Sequence, residues 1–563
     1  MNMVRGKRGT MHSKRFEAIA LSILYFLLFV PLMSQVSMYH SDELFYTDSA
    51  VYMLQHNDLV TPYYPDGTLR FKKPIITYWA LMTSYKIFGI NYFSTRLPFL
   101  IAGCLVIWLT YIISLKLFNR HVSAVLAAII MASNIQLLTS ALRSTPDILQ
   151  SLFLCISLYG FICLIFNEDT RLRNHLLAYF GSALAIETKG LLGVVALFYV
   201  FAYVISIKDF RKKIKNLVHI PVMLIAGATA VMWFVAVYLK HGDTALHGFL
   251  YDQGGGGMLS EGSRLYIFAS YVWGVFRHFL PWSVMAVVAG ICCRKEAAGF
   301  LRENLRKNIF LWAWFLMLLL IFINGSMVRT RYLFPAYPLL SIFVAAFLME
   351  MVYQNKMIRF FKWIYLGLLI LGGFSSILLM GAGFLIDSRI LIAGIGLFTV
   401  SLLLYYFTFL KEKFQVLSGV GIYIIAAFFF VHFLVLPVFR VSPSQKLTEC
   451  IRDIMKHDPG IITVWSQDKF KLTGQINVFS EGEIRILNLP QGRLPNDLYQ
   501  KPLVILSEKS GDAVEFKDYE VIPCGYTYRS VKPGEIWEQL KPDAIGPFFE
   551  PFRRYFYVAK RKK

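Results

Sequence analysis

Long apolar stretches separated by short polar segments constrain this chain more than any other feature. Stretches of roughly 18 or more residues recur, and each is long enough to cross about 30 Å of hydrocarbon. The sequence is 56% hydrophobic and 16% charged, whereas soluble domains are about 45–50% apolar and about 25% charged. Because backbone groups in hydrocarbon must be hydrogen-bonded within their own segment, such stretches predict helices. The chain is therefore predicted to be an all-α polytopic membrane protein.

About thirteen spans are predicted. The first follows a basic flank, "MNMVRGKRGTMHSKRF", and no small-residue cleavage site comes after it, so we expect an uncleaved span rather than a signal peptide. The spans are predicted near 17–38, 97–118, 122–141, 148–166, 176–188, 190–207, 218–239, 266–292, 309–324, 333–353, 363–386, 390–410 and 415–438.

The net charge of +22 comes from short basic clusters between the apolar stretches. The N-terminal flank and alternate loops carry these clusters, and a thirteen-span count places all of them on one side of the membrane. Since cytoplasmic loops carry the excess of lysine and arginine, the N terminus is predicted to be cytoplasmic and the chain after about residue 440 to be outside. No nucleic-acid-binding motif accompanies the clusters, so membrane lipids are predicted as partners and nucleic acid is not.

The tail has a different pattern. In "SPSQKLTECIRDIMKHD" apolar residues recur at helical spacing, and "GIITVW", "GQINVFS" and "PLVILS" are typical of short strands. We predict two domains, a transmembrane domain at 1–439 and a small exterior α/β domain at 440–563. Cys450 and Cys524 share the second domain, where disulfides can persist. The sequence allows two states for this pair, a disulfide bridge or two free buried thiols.

The first exterior loop, 39–96, is long enough to carry function. Its motif "SDELFYTDSA" contains Asp42 and Glu43, which are either polar loop residues or groups that face a reaction. The later segment "RFKKPIITYWALMTSYKIFG" predicts an amphipathic helix in the membrane interface. Lys72 and Lys73 precede this helix, and helix N-terminal amides attract anions. The pair predicts a phosphate site, with plain attachment to anionic lipid headgroups as the alternative.

Further charged residues lie at the exterior ends of predicted spans. Asp147 is a candidate site residue, with helix capping as the alternative. Lys189 and Glu187 interrupt an apolar pair of spans, where a charge is costly unless it is paired or faces a cavity. Arg331 lies on the side that is normally poor in positive charge, and either needs an anionic partner or is a solvated loop residue. The acids and bases share a similar depth, which predicts one cationic pocket beside carboxylates.

These motifs resemble those of the GT-C glycosyltransferases. "SDELFYTDSA" resembles their first-loop Asp-Glu motif, and "RFKKPIITYW" resembles a segment of the branch that contains the aminoarabinose transferases of lipid A modification and the protein O-mannosyltransferases. "TPDILQSLFL", "ETKGLLG" and "RYLFPAYPLL" follow in the same order, so the resemblance covers roughly residues 40–350. It implies the GT-C fold, catalytic acids, and phosphate binding to a polyprenyl-phosphate sugar. The residues that the resemblance implies are Asp42 and Asp147 as acids, and Lys73, Lys189, Arg331 and Tyr332 for the phosphate. From the residues themselves, Glu43 is a further catalytic candidate, and Lys72 and Arg264 are further candidate phosphate ligands.

The chain also departs from the pattern that it resembles. Phe45 stands where the first motif often has an arginine, and Lys72 stands where the aminoarabinose enzymes carry an acid. The 240–265 loop contains four consecutive glycines, 254–257, whose amides could approach a phosphate or form a mobile lid. These departures bear on which acceptor the protein uses more than on the type of reaction.

The resulting prediction is an integral-membrane glycosyltransferase of the bacterial inner membrane. It would move a sugar from a polyprenyl-phosphate donor to lipid A, another glycan or a protein on the periplasmic face. The alternative is a transporter or flippase for a lipid or a lipid-linked sugar, which would typically show repeated halves. No cofactor is predicted; a divalent metal stays open, although the sequence has no ligand cluster for one.

Overall fold

The computed structural model describes most of the membrane part and a smaller share of the tail. The described residues are 11–35, 41–64, 68–243, 247, 249, 264–324, 328–354, 357–409, 413–439, 443–457, 463–466, 480, 485–488, 503–507, 519–528 and 553–561.

Helices make up nearly all of the described chain before residue 460. In chain order they are α1 Met11–Phe29, α2 Leu32–Gln35, α3 Ser41–Gln55, α4 Ile76–Phe88, α5 Tyr92–Phe118, α6 His121–Ala132, α7 Ile135–Ser140, α8 Pro146–Ile165, α9 Leu172–Lys189, α10 Leu192–Ser206, α11 Ile214–Leu217, α12 Ile220–His241, α13 Arg264–His278, α14 Trp282–Cys292, α15 Arg294–Glu303, α16 Leu305–Ile323, α17 Tyr337–Tyr353, α18 Ile358–Leu385, α19 Ser388–Leu404, α20 Lys413–Phe430, α21 Leu436–Phe439 and α22 Pro443–His457. Short 3₁₀ segments lie at Lys208–Lys213 and Thr330–Ala336, and π-helical segments at Tyr405–Phe409 and Val431–Val435.

Within the described residues, nine helices are long and apolar enough to cross a membrane, or eleven if two bent pairs are each counted as one span. These eleven correspond to eleven of the thirteen predicted spans. The two predicted spans outside this count are 122–141, where the chain forms the short helices α6 and α7, and 176–188, which lies in α9. The polytopic helical membrane fold that the sequence predicts is confirmed.

One predicted span has a different form from the one expected. Residues 266–292 were expected to form a single helix, but the structure has two helices, α13 and α14, that meet at 101°. A bend of 118° likewise separates α10 from the segment Lys208–Leu217. Hydropathy records only that these residues are apolar, and the sharp bends come from tertiary packing that a sequence window does not see.

The tail contains one helix and a five-stranded mixed sheet in its described part. The strands are β1 Thr463–Ser466, β2 Arg485–Asn488, β3 Leu503–Ser507, β4 Tyr519–Tyr528 and β5 Arg553–Arg561. Their order is β2-β1-β3-β5-β4; β1 pairs in parallel with β2 and β3, and β5 pairs antiparallel with β3 and β4. The predicted strand "GQINVFS" lies outside the described residues except for its last residue.

Helix α22 packs its apolar face on this sheet. Leu447, Ile451 and Ile454 recur at helical spacing and form a buried cluster with Cys524 and Val558. A disulfide joins Cys450 of α22 to Cys524 of β4, with the two Cα atoms 5.7 Å apart. Of the two states that the sequence left open, the structure has the bridge.

Contacts divide the chain into two compact units. The first unit comprises Met1–Pro31, Phe71–Thr77 and Phe99–Val431. The second unit comprises Leu32–Arg70, Tyr78–Pro98 and His432–Lys563. The boundary that the sequence analysis places at residue 440 stays a prediction.

Candidate functional site

Helices α8 and α9 form a closely packed antiparallel pair in the first unit. A Cβ atom on Gly160 would come within 2.5 Å of the Ala178 backbone nitrogen, and one on Gly181 within 2.5 Å of the Ser157 nitrogen. Ser157 Oγ donates to the Ala178 carbonyl at 2.7 Å. Small residues at matching positions allow helix backbones to approach closely inside a membrane. The start of α8 is therefore brought beside the end of α9.

The start of α8 and the end of α9 each carry a charge that the dipole of the helix favours. Pro146 begins α8, so Asp147 lies in its first turn, where the helix dipole favours an anion. Lys189 is the last residue of α9, where the dipole favours a cation. Gly190 ends α9 with a φ of 99°, a conformation that glycine adopts without strain. The "ETKG" motif thus fixes Lys189 at the helix end.

Asp147 and Lys189 form an ion pair. Lys189 Nζ donates to Asp147 Oδ1, and the two side chains are only 13% and 5% exposed for the lysine and the aspartate. The cap of α8 is Thr145, not Asp147. Removing charges from water costs several kcal/mol each unless they are paired. Pairing therefore makes the burial of both groups tolerable.

Tyr332 brings further cations to this pair. Lys189 Nζ lies 4.1 Å from the centroid of the Tyr332 ring, a cation–π distance. Arg329 Nη1 donates to Tyr332 Oη at 2.9 Å. The Arg331 guanidinium carbon lies 5.8 Å from the same ring centroid. We call Asp147, Lys189, Arg329, Arg331 and Tyr332 the Tyr332 cluster; it holds three cations and one carboxylate.

The 3₁₀ segment Thr330–Ala336 that carries Tyr332 is held by α13. The Arg329 backbone N–H donates to Tyr271 Oη at 3.3 Å. A Cβ on Gly274 would come within 2.3 Å of Thr330 Cγ2, so α13 and this segment are in direct contact. The α13 helix thereby holds the chain at Arg329 and Thr330, directly before Arg331.

Glu187 is a second buried acid of the first unit. It is 1% exposed, and its Oε1 accepts from the Trp233 backbone N–H of α12 at 3.2 Å. Its Oε2 has no hydrogen-bond partner among the residues that the structure describes. Although Glu187 is two residues from Lys189, its contact is with α12.

In the second unit, "SDELFYTDSA", which belongs to the predicted first exterior loop, begins helix α3. Asp42 and Glu43 lie in its first turn, a position that suits acids and that should have indicated a helix start. Glu43 is buried and its Oε1 accepts from Arg96 Nε at 3.0 Å. Asp42 is half-buried.

Arg70 is a further buried cation of the second unit. Its guanidinium lies over the rings of Phe45, Tyr46, Tyr64 and Tyr78, with centroid distances between 4.9 and 5.9 Å. Burial lowers the pKa of Arg70, but the Tyr78, Tyr46 and Tyr64 oxygens and the Asp42 carboxylate more than offset this, so its pKa lies above the ordinary value. Neither Arg70 nor Arg96 is among the candidate residues that the sequence predicts. An arginine between apolar and aromatic residues was the available signal.

The remaining predicted phosphate residues lie at two places. Lys72 is exposed and Lys73 half-buried in the first unit, four and three residues before α4, whose predicted existence is confirmed. Arg264 is exposed and is the first residue of α13. The four-glycine run at 254–257 lies outside the described residues. Across the ranges described above, no group of three or more His, Cys, Asp or Glu residues could hold a metal ion.

The fold and the site together define the class of this protein. It is a polytopic helical membrane protein with paired and clustered charges at helix ends. The family described as dolichyl-phosphate-mannose-protein mannosyltransferase matches residues 72–239. A solved structure, the crystal structure of ArnT from Cupriavidus metallidurans bound to undecaprenyl phosphate, superposes with a TM-score of 0.69 over 98% of this chain and 98% of that chain. The identity is 14%, so this match shows a shared fold.

Curated relatives agree with the fold. An uncharacterized protein of Aquifex aeolicus is 28% identical over 345 residues, which is 60% of this chain and 64% of the relative. An undecaprenyl phosphate-alpha-4-amino-4-deoxy-L-arabinose arabinosyl transferase of Aeromonas salmonicida is 25% identical over 350 residues, 59% of this chain and 60% of the relative. The matched region therefore spans about three-fifths of these relatives. Together the findings show that the chain has the fold of the ArnT structure and is similar, over part of its length, to transferases that use lipid-phosphate sugars.

Proposed function

We propose that this protein transfers a sugar from a polyprenyl-phosphate donor of the undecaprenyl-phosphate type to an envelope acceptor. The observation that carries the proposal is the Tyr332 cluster, in which Lys189, Arg329 and Arg331 gather at one phenol ring. Asp147 pairs with Lys189. A group of cations around one ring at the end of two membrane helices suits the binding of an anion, and a lipid phosphate is an anion that a membrane supplies.

The donor's phosphate becomes more negative as the reaction proceeds. The bond between the anomeric carbon and the phosphate oxygen breaks, and the electron pair stays on the phosphate. Cations fixed in advance in a partly buried site stabilise this developing charge more than water does. Lys189 and Arg331 are assigned this role, with Tyr332 as the group that orients them. Lys72, Lys73 and Arg264 stay predicted phosphate ligands.

A hydroxyl acceptor requires a base. A bond forms between the acceptor oxygen and the anomeric carbon, and the hydroxyl proton passes to a carboxylate, for which Asp42 is the assigned residue. Asp147 is engaged by Lys189, so it is assigned the orientation of that lysine and not proton transfer. Glu43 is engaged by Arg96, so we assign it a positioning role. A phosphate acceptor on lipid A would be ionised already and would need no base.

The acceptor and the location are proposed from the relatives and from charge. Lipid A is the acceptor class favoured by the relatives that use aminoarabinose donors, with another glycan or a protein as the other classes. The basic clusters support an inner-membrane protein with a cytoplasmic N terminus and a periplasmic tail. The transfer would then take place at the periplasmic face.

A reconstituted assay tests this proposal. The purified protein in lipid nanodiscs is given radiolabelled undecaprenyl-phosphate sugars together with lipid A, envelope glycan or protein, and the products are identified by mass spectrometry. We expect label on one acceptor class. A protein that moves the lipid-linked sugar across vesicle membranes without transferring it from any donor would instead be a transporter.

The phosphate site is tested by binding of undecaprenyl phosphate without sugar. The double variant Asp147→Asn/Lys189→Gln removes the pair without leaving one buried charge alone, and we expect it to lose most of the binding. Lys208→Gln, which removes an exposed cation of a predicted cytoplasmic cluster, is the matched control. Equal binding by the double variant and the control would contradict the assignment.

A further inference from the structure

Arg70 has no role in the reaction as proposed, yet it is buried beside the helix that carries the assigned base. Its guanidinium carbon lies 5.4 Å from the Phe45 ring centroid and 4.9 Å from that of Tyr46. The rings of Tyr64 and Tyr78 lie at 5.7 and 5.9 Å. An arginine enclosed in this way has lost most of its water and keeps its charge only because its surroundings favour it.

Helical geometry places Asp42 on the face of α3 that Arg70 contacts. Residues three and four apart lie on one face of a helix, so Asp42 shares a face of α3 with Phe45 and Tyr46. Arg70 covers both of these rings and therefore faces the turn that begins with Asp42. The Asp42 carboxylate contributes to the raised pKa of Arg70, although burial is the largest effect and acts in the opposite direction.

The aromatic rings do not provide a hydrogen-bond acceptor for every N–H group of the Arg70 guanidinium. Arg70 Nη1 donates to Tyr78 Oη. Within the described part of the chain, Arg70 Nε has no hydrogen-bond partner. Guanidinium groups do not lose their proton in proteins. The four rings thus hold a permanent positive charge in place without neutralising it.

The other charged residues of α3 that the structure describes are acids, and the described arginine of α5 has its own acidic partner. Glu43 and Asp48 of α3 are acids, and negative neighbours oppose the ionisation of another carboxylate. Arg96 of α5 is paired with Glu43. Among the described residues, the titratable groups around the first turn of α3 include Glu43, Tyr46, Tyr64, Arg70, Tyr78 and Arg96.

We propose that Arg70 is a positioning residue for Asp42, and that it holds the carboxylate ionised and oriented to receive the acceptor's proton. The inference rests on the proposed function, because it assigns Asp42 as the base. In addition, it assigns to the Asp42 base a nearby cation that comes from outside α3 and is fixed by aromatic rings.

Carbodiimide labelling tests the inference without any transfer reaction. A carbodiimide and an amine tag protonated carboxyl groups, and peptide mass spectrometry reports the labelling of Asp42 in the full-length protein at each pH. In Arg70→Gln we expect the pH of half-maximal labelling to rise by about one unit or more, because an opposite charge nearby lowers the pH at which an aspartate protonates by about 1–3 units. Lys86→Gln, which removes an exposed cation of α4, should leave the midpoint unchanged.

A conservative variant covers the case in which Arg70→Gln does not fold. Arg70→Lys keeps the charge but cannot occupy the same flat space among the rings, so we expect a smaller upward shift of the labelling midpoint. A folded Arg70→Gln protein with the wild-type midpoint would overturn the inference. If only Arg70→Lys folds, an unchanged midpoint in that variant would overturn it equally.

The pH profile of transfer separates this inference from the proposed function. The acidic limb of the rate in Arg70→Gln should move to higher pH in parallel with the labelling. Wild-type transfer with an unshifted midpoint removes the role of Arg70 and leaves the proposed function in place. If Arg70→Gln shifts the labelling midpoint of Asp42 but the wild-type protein transfers sugar from no donor, the link between Arg70 and Asp42 is retained and the proposed function is removed.

Discussion

Glu43 and Arg96 form an ion pair in which each side chain is only 1% exposed. Arg96 Nε lies 3.0 Å from Glu43 Oε1, and Arg96 Nη1 donates to the Met33 carbonyl at 2.9 Å. The pair joins the first turn of α3 to the beginning of α5, 53 residues later in the chain. It therefore fixes the backbone next to Asp42 through a residue that the acidic motif does not contain.

Removing one partner of this pair should destabilise the protein strongly. We expect Arg96→Met to lower the free energy of unfolding by about 3–5 kcal/mol, because Glu43 would remain as a buried, uncompensated charge. The double variant Glu43→Gln/Arg96→Met should lose less than the sum of the two single changes. Unfolding in detergent at increasing denaturant concentration measures both, and strictly additive losses would mean that the two side chains do not interact.

Asp42→Asn should lower the rate of transfer to a hydroxyl acceptor by about 10²–10⁴-fold, the usual contribution of a general base. The amide has nearly the same shape as the carboxylate but does not accept the proton. The measurement is the initial rate in nanodiscs, with thermal unfolding as the check on the fold. A rate near that of the wild type would remove Asp42 from the mechanism.

Tyr332 should affect phosphate binding in two separable ways. Tyr332→Phe keeps the ring that faces Lys189 but loses the hydroxyl that accepts from Arg329, whereas Tyr332→Ala loses both. Since a partly desolvated cation–π contact contributes about 1–2 kcal/mol, we expect the alanine variant to bind undecaprenyl phosphate roughly 5–30-fold more weakly than the phenylalanine variant. Titration calorimetry gives the two affinities, and equal values would show that the ring has no part.

Gly160→Ala should destabilise the protein by about 1–3 kcal/mol, the usual cost of overpacking. The added methyl group would meet the backbone of α9, which cannot rotate away. Gly227→Ala in α12 is the control, because no atom lies within 4 Å of its added Cβ. If the two variants unfolded at the same temperature, the close approach of α8 and α9 would be unimportant.

The disulfide between Cys450 and Cys524 closes a loop of 74 residues. In the chain-entropy treatment, loss of a bridge over a loop of this length costs about 4 kcal/mol. We expect the double variant Cys450→Ser/Cys524→Ser to unfold its tail at a lower temperature than the wild type. Intact mass after alkylation without reductant should show both cysteines protected in the wild type, and alkylation of either one would contradict the bridge.

Apolar length and charge bias were sufficient to predict the membrane class and the eleven long or bent spans. They were not sufficient for the chain between 121 and 140, where two short helices replace one expected span. Hydropathy averages over a window, so it does not separate a helix that crosses the membrane from short buried helices held by their neighbours.

The charged site was partly predictable. A costly charge at the end of an apolar stretch indicated Asp147, Lys189 and Arg331, but which residues meet depends on packing. The role of Arg329 as the donor to Tyr332 could not be inferred, because a single exposed arginine in a loop is usually solvated. Arg70 and Arg96 were missed because their partners are aromatic rings and a distant acid, which no local pattern connects.

The tight seam between α8 and α9 limits how the Asp147–Lys189 pair can open. Below the pair, at Gly160 and Gly181, main chain packs directly against main chain, and an added Cβ would fall within 2.5 Å of a backbone nitrogen. We therefore expect an incoming anion to take the place of Asp147 by rotation of the lysine and aspartate side chains rather than by separation of the two helices.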